Sequence, residues 1–128
     1  MKQLQIIAPG QAEWQDADVP TPGTGEVLLK IRAITTCPHW DLRLMSGDPM
    51  FPGARLTYPI IPGQPGHELV GDVVEVGPGV KDLYVGARVA AWQDRGADVR
   101  LGGYAQFVPF AAASLLEVGS ELAPESIA

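Results

Sequence analysis

The sequence predicts a mainly β fold built of short strands with one or two short helices. Its 128 residues include 15 glycines and 12 prolines, which are spread along the whole chain rather than collected in one block. Short apolar and β-branched runs lie between these residues, a pattern that favours strands joined by turns over long helices. The length is that of one domain, residues 1–128, and is sufficient for a sizeable core.

The N-terminal part of the chain contains three predicted strands and one predicted helix. The strands are 3–8, 13–19 and 26–34, and the short helix is 40–45. Strand 26–34 has the clearest pattern, because its apolar residues alternate along one face while Lys30 and Arg32 lie on the other. Proline or glycine ends strands 3–8 and 13–19 and the helix.

The C-terminal part begins with a proline-rich segment, 48–64, which is predicted to be a loop because proline removes backbone donors and fixes φ. The predicted strands after it are 67–76, 87–92, 104–108 and 114–118, with a polar loop over 93–100. Gly102 and Gly103 lack the spacing of a nucleotide-binding fingerprint and indicate a turn before a strand. Pro124 and Glu125 suit the first turn of a helix.

Composition and charge exclude several classes of partner. The net charge is −6, and the nine basic residues are scattered rather than clustered, so neither nucleic acid nor an anionic membrane is expected to bind. No apolar run approaches the roughly 18 residues of a membrane span, and the first residues do not form a secretory signal. With one cysteine the chain forms no internal disulfide, and a cytoplasmic location is expected.

One short motif carries most of the chemical information. In Gly66-His67-Glu68, an imidazole and a carboxylate stand side by side at the start of an apolar run, and Cys37 lies thirty positions upstream. If His67 and Glu68 begin a strand, they point to opposite faces. Cysteine, histidine and carboxylate are zinc ligands, and three of them with an open fourth position make a catalytic site.

Each of these residues also has a structural interpretation. A lone cysteine such as Cys37 is often a small buried hydrophobe. His67 could be a hydrogen-bonded strand histidine, and Glu68 could be a structural carboxylate paired with Arg88. Trp40 and Trp92 are expected to be aromatic residues of the core or of a cleft wall.

The motifs of the chain resemble those of a known family along nearly its whole length. In order they are Pro22-Gly23-Thr24-Gly25-Glu26-Val27, Cys37 with Asp41, Gly66-His67-Glu68-Leu69-Val70-Gly71, Gly77-Pro78-Gly79-Val80, Val85-Gly86-Ala87-Arg88-Val89, and Gly102-Gly103-Tyr104-Ala105-Gln106-Phe107. The chain therefore resembles the N-terminal, GroES-like catalytic domain of the zinc-dependent alcohol dehydrogenase branch of the medium-chain dehydrogenase/reductase superfamily. The resemblance implies a GroES-like, partly open β-barrel.

The resemblance also implies roles for individual residues. Cys37 and His67 occupy the positions of two catalytic-zinc ligands, and Glu68 matches a carboxylate beside the metal. The family usually has Cys-x-Ser/Thr-Asp, whereas this chain has one more residue between Cys37 and Asp41. Either Asp41 keeps the task of orienting the ligand histidine, or His39 takes over the proton relay. An all-cysteine structural zinc site is excluded, and no residue is assigned to cofactor binding.

The function implied by the resemblance is hydride transfer between an alcohol or carbonyl substrate and NAD(P), with one catalytic zinc. The loop 48–64 would form one wall of the substrate cleft. The chain lacks the nucleotide-binding Rossmann domain, so we expect a fragment that is inactive alone. Its expected partner is that missing domain, and association into a homo-oligomer is a further possibility. Two alternatives are a zinc-free quinone-oxidoreductase-like reductase domain and a stand-alone, non-enzymatic GroES-like binding or assembly module.

Overall fold

The computed structural model describes residues 1–49, 53, 55–91 and 99–128. Within them the chain forms seven strands and one α-helix. The elements are β1 (Lys2–Ala8), β2 (Gln11–Asp16), β3 (Glu26–Ile34), α1 (Pro38–Ser46), β4 (Leu69–Val76), β5 (Arg88–Ala91), β6 (Phe107–Ala111) and β7 (Leu115–Glu117). Two short 3-10 turns lie at Ala112–Ser114 and Pro124–Ser126. The prediction of a mainly β fold is confirmed.

The strands form two antiparallel sheets. β1 pairs with β2, and the other five strands are ordered β6-β3-β4-β5-β7. In the described part of the chain β6 and β7 each pair on one side only, so the larger sheet does not close into a barrel. The predicted partly open barrel agrees with this arrangement. None of the helices that the structure describes has the length and apolar character needed to cross a bilayer.

Strand β3 lies inside the larger sheet and has the predicted limits. Val27 and Leu29 are fully buried in the main core, while Lys30 and Arg32 are exposed. Leu28 is buried as well, although alternation places it with the polar face. The pairing of β3 with β4 shifts register between Leu28 and Leu29, and such an irregularity locally breaks the alternation.

Two strand limits differ from the prediction because pairing partners set them. β2 ends at Asp16 rather than at residue 19, since Asp16 pairs with Lys2 at the start of β1. The strand predicted at 104–108 begins at Phe107, because the Tyr104 carbonyl oxygen and the N–H of residue 106 bond to the backbone of β1. The strand predicted at 87–92 begins at Arg88, and the one predicted at 114–118 is shorter, at Leu115–Glu117. Trp92 and the predicted loop residues 93–98 lie outside the described residues.

Helix α1 is attached to β1 by a second, smaller core. Leu44 of the helix packs with Ile6 of β1 and with Ile60 from the proline-rich segment. The Tyr58 hydroxyl donates to the Leu44 carbonyl oxygen at 2.6 Å. Residues 55–64 form no helix or strand, as predicted, whereas residues 50–52 and 54 lie outside the described part. This core therefore holds the helix against the first strand.

Asp72 of β4 is the centre of a network of charged side chains. Its carboxylate accepts hydrogen bonds from Nε of Arg32 at 2.7 Å and from Nε of Arg88 at 2.8 Å. Arg88 also donates to the carbonyl oxygens of Ser120 and Leu122. The suggested pairing of Arg88 with Glu68 is therefore wrong, because Asp72 lies directly across the ladder from Arg88.

Asp72→Asn is expected to lower the free energy of unfolding by about 1.5 kcal/mol at pH 7, since charge-assisted hydrogen bonds are lost. The Arg88 and Arg32 hydrogen bonds hold the pKa of Asp72 below its usual range. A lowered folded-state pKa stabilises the fold above the unfolded value of about 4, and this stabilisation disappears as pH falls through the folded value. Urea unfolding from pH 7 to pH 3 should show the difference between the two proteins shrinking below about pH 4.

Asp16→Asn is the matched control. Asp16 pairs with Lys2 at the exposed end of β2, where both side chains are more than half exposed, and exposed pairs contribute little. Equal losses for the two variants would contradict a special role for Asp72.

Candidate metal centre

Cys37 lies immediately before α1, and the helix begins at the following residue, Pro38. Proline suits the first helical position because its fixed φ matches the helix and its missing N–H would be unsatisfied there. Cys37 itself has an extended backbone, with φ −91° and ψ 104°, and is partly buried. The helix predicted at 40–45 is confirmed and extends to Pro38–Ser46.

His67 and Glu68 precede β4 rather than beginning it, because the strand starts at Leu69. The prediction that they point to opposite faces is wrong. Gly66 turns the chain immediately before them with φ +34°, so the alternation of an extended strand does not apply. His67 Nε2 lies 3.7 Å from Glu68 Oε1, and the two side chains face the same region.

The structure brings Cys37, His67 and Glu68 together. Their potential ligand atoms, one sulfur, one ring nitrogen and one carboxylate oxygen, all lie within 4.8 Å of one another. Ligand atoms around a tetrahedral zinc are about 3.5 Å apart. A small contraction would therefore place a zinc ion between them, and the donor set fits zinc. The His67 side chain is 24% exposed and the Glu68 side chain 49% exposed, so solvent reaches the cluster.

Trp40 packs beside the imidazole of His67. Their ring centroids are 5.7 Å apart, with the planes inclined at 56°. Trp40 is one of the three residues between Cys37 and Asp41, and helix α1 places it beside this histidine. Trp40 is predicted to be an aromatic residue of the core or of a cleft wall, and in the structure its ring lies beside that of His67.

Asp41 binds the segment that carries Cys37. Its Oδ2 accepts from the Cys37 backbone N–H at 2.8 Å, and its own N–H donates to the Cys37 carbonyl oxygen at 2.9 Å. Its Oδ1 accepts from the Tyr104 hydroxyl at 2.6 Å. Asp41 therefore restrains the backbone of one potential ligand, and its expected action on the ligand histidine stays a prediction.

His39 is exposed in the first turn of α1. The group of potential ligands found among the described residues does not include it. Its predicted part in a proton relay stays a prediction.

Tyr104 contributes to the site, although the sequence pattern predicts it only as part of a strand after a glycine turn. Partial burial and the hydrogen bond to Asp41 raise the pKa of its hydroxyl to about 12, so this group stays protonated and donates at neutral pH. Sixty-three positions separate it from Asp41, and no local pattern links the two. Sequence reasoning therefore misses this residue.

Two cavities adjoin these residues. One, of about 350 Å³, is lined by Glu68 together with small side chains that include Ala90 and Ala91. The other, of about 290 Å³, is lined by Asp41 and Tyr104 and is mostly apolar, with Leu42 and Met45 among its other lining residues. The first is large enough for a small molecule and is lined by one residue of the cluster, Glu68.

The sequence profile of the alcohol dehydrogenase GroES-like domain matches residues 23–120. L-threonine 3-dehydrogenase of Thermococcus kodakarensis is 47% identical over 75 residues, which are 59% of this chain and 20% of that protein. The chain spans about a fifth to a quarter of the length of the curated relatives it matches.

Solved structures resemble the fold over almost the whole chain. A structure of an alcohol dehydrogenase superfamily protein from Novosphingobium aromaticivorans has a TM-score of 0.78 and 28% identity, covering 97% of this chain and 36% of that one. A quinone oxidoreductase from Pseudomonas syringae has a TM-score of 0.75 and 26% identity, covering 98% and 36%.

Proposed function

This chain belongs to the alcohol dehydrogenase GroES-like domain family, and from that membership we propose that it is the zinc- and substrate-binding domain of an NAD(P)-dependent oxidoreductase that interconverts alcohols and carbonyl compounds. The convergence of Cys37, His67 and Glu68 carries the proposal, because Cys37 lies thirty positions before His67 in sequence yet belongs to the same group of potential ligands. The nicotinamide would be held by a nucleotide-binding domain outside residues 1–128.

In this proposal Cys37 and His67 hold the metal, and Glu68 is either the third ligand or a carboxylate beside it. A zinc ion held there supplies a Lewis acid that polarises the substrate oxygen. Glu68 lines the 350 Å³ cavity together with Ala90 and Ala91, whose small side chains leave room for a substrate. Trp40 limits the rotation of the His67 ring.

The other residues maintain this arrangement. Asp41 holds the Cys37 backbone through two hydrogen bonds, so the thiol is presented from a fixed position. His39, which is exposed two residues from Cys37 along the chain, is proposed to pass the substrate proton to solvent.

A titration of the 128-residue chain with Co²⁺ tests the metal proposal, because cobalt replaces zinc and absorbs visible light. We expect one equivalent to bind and to produce a thiolate-to-cobalt charge-transfer band that is absent in Cys37→Ser. Added imidazole should shift the d–d bands, since three protein ligands leave a fourth position open. An unchanged spectrum after cobalt addition would overturn the proposal.

A zinc-free reductase is the second candidate, favoured by the structural likeness to the Pseudomonas syringae quinone oxidoreductase. Under that proposal the purified chain holds no zinc and gives no cobalt spectrum, although the fold is the same. Native mass spectrometry of protein produced with zinc in the medium separates the two candidates. One zinc per chain supports the dehydrogenase proposal.

A further inference from the structure

The turn Gly102–Tyr104 lies between the two segments that carry the potential metal ligands. On one side, Gly103 donates its backbone N–H to the Gly66 carbonyl oxygen at 2.8 Å, one residue before His67. The Tyr104 N–H also bonds this segment, to the Gly63 carbonyl oxygen at 3.0 Å. The backbone of the turn is therefore joined to the segment that carries His67.

On the other side, the Tyr104 side chain reaches the segment that carries Cys37. Its hydroxyl donates to Asp41 Oδ1 at 2.6 Å, while Asp41 Oδ2 accepts the Cys37 N–H at 2.8 Å. One carboxylate thus links the tyrosine hydroxyl to the backbone of the cysteine. Tyr104 contacts both segments, one through its backbone and the other through its side chain.

We infer that Tyr104 is a positioning residue that sets the separation of Cys37 and His67 by acting through Asp41. The inference rests on the proposed function, because the separation matters only if the two residues share a metal ion. Without the hydroxyl, Asp41 retains the Cys37 N–H as a partner but loses its connection to the turn. The start of α1 then loses one of its links to the His67 segment, while the bond from the Thr35 N–H to the Glu68 carbonyl oxygen at 2.9 Å remains, and the spacing of the ligand atoms changes.

Tyr104→Phe tests the inference with the removal of one oxygen atom. We expect the Kd for Co²⁺ to rise about tenfold, since partners beyond the ligands are worth 10–100-fold in metal affinity. The charge-transfer band should shift, because the thiolate approaches the metal in an altered geometry. A merely structural role for the hydroxyl would change stability and leave the spectrum of the bound metal as it is.

Tyr58→Phe is the matched control. The Tyr58 hydroxyl also donates at 2.6 Å to helix α1, but to the Leu44 carbonyl oxygen near the other end of the helix. The variant likewise removes a tyrosine hydroxyl that donates to this helix, and it leaves the Asp41–Cys37 bond untouched. Its cobalt affinity and spectrum should equal those of the wild type.

The outcomes separate the inference from the proposed function. Equal Kd values and spectra for Tyr104→Phe, Tyr58→Phe and the wild type would overturn the inference alone. A wild-type chain that binds no cobalt would overturn the proposed function and, with it, the inference. In an Asp41→Ala background, Tyr104→Phe should have no further effect on Kd, and additive effects would contradict transmission through Asp41.

Discussion

His67→Ala is expected to weaken the binding of Co²⁺ or Zn²⁺ by on the order of 100-fold or more, while the chain remains folded. The loss should exceed the 10–100-fold effect of residues that only support ligands, because the substitution removes a donor atom itself. His67 is partly exposed and lies outside the strands, so the truncation leaves no large cavity in the core. Isothermal titration calorimetry gives the affinity, and circular dichroism checks the fold.

His39→Ala is the matched control, since it removes the only other imidazole of the chain. His39 is exposed, and the ligand group found in the described residues does not include it. The affinity of the His39→Ala variant for the metal should therefore remain at the wild-type value. Equal losses in the two variants would mean that His39 is a ligand and that the assigned group is wrong.

Gly66→Ala is expected to destabilise the fold by about 3–5 kcal/mol, because overpacking and an unfavourable φ act together. A Cβ atom at Gly66 would lie 2.5 Å from the Gly103 nitrogen and 2.6 Å from the Tyr104 nitrogen. Both contacts are with backbone, so no side-chain rotation relieves them. Chemical unfolding monitored by tryptophan fluorescence measures the loss of stability.

Gly10→Ala separates the steric effect from that of the backbone angle. Gly10 also has a positive φ, +75°, but a methyl group there would have no neighbouring atom within 4 Å. This variant should lose only about 1 kcal/mol, the usual cost of a left-handed conformation for alanine. Similar losses at both positions would show that the close approach of Gly66 to the 102–104 turn is unimportant.

The sequence predicts best what depends on neighbouring residues. Strand β3 has its predicted limits because its alternation and its flanking turns are local signals. The helix after Cys37 is also recognised, although Pro38 extends it backward by two residues. The association of Cys37 with His67 and Glu68 is predicted from ligand chemistry and from the family resemblance rather than from any local pattern.

Long-range pairing limits the rest of the prediction. β6 begins at Phe107 because its ladder with β3 runs from Lys30 to Glu26, and nothing near Tyr104 in the sequence indicates that register. Likewise, the turn at Gly66 delays β4 until Leu69, two residues after the predicted start at His67. The bond between Tyr104 and Asp41 joins positions that only the assembled sheet brings together.

The Gly102–Tyr104 turn has a consequence for how the site is made in the cell. Cys37 and His67 are synthesised before Tyr104, since synthesis proceeds from the N-terminus. A chain still growing on the ribosome thus carries the metal-binding side chains before it carries the turn that spaces them. A metal ion captured at that stage would meet flexible donors rather than a preformed site. Selective loading is therefore expected to wait until the last third of the domain has been made.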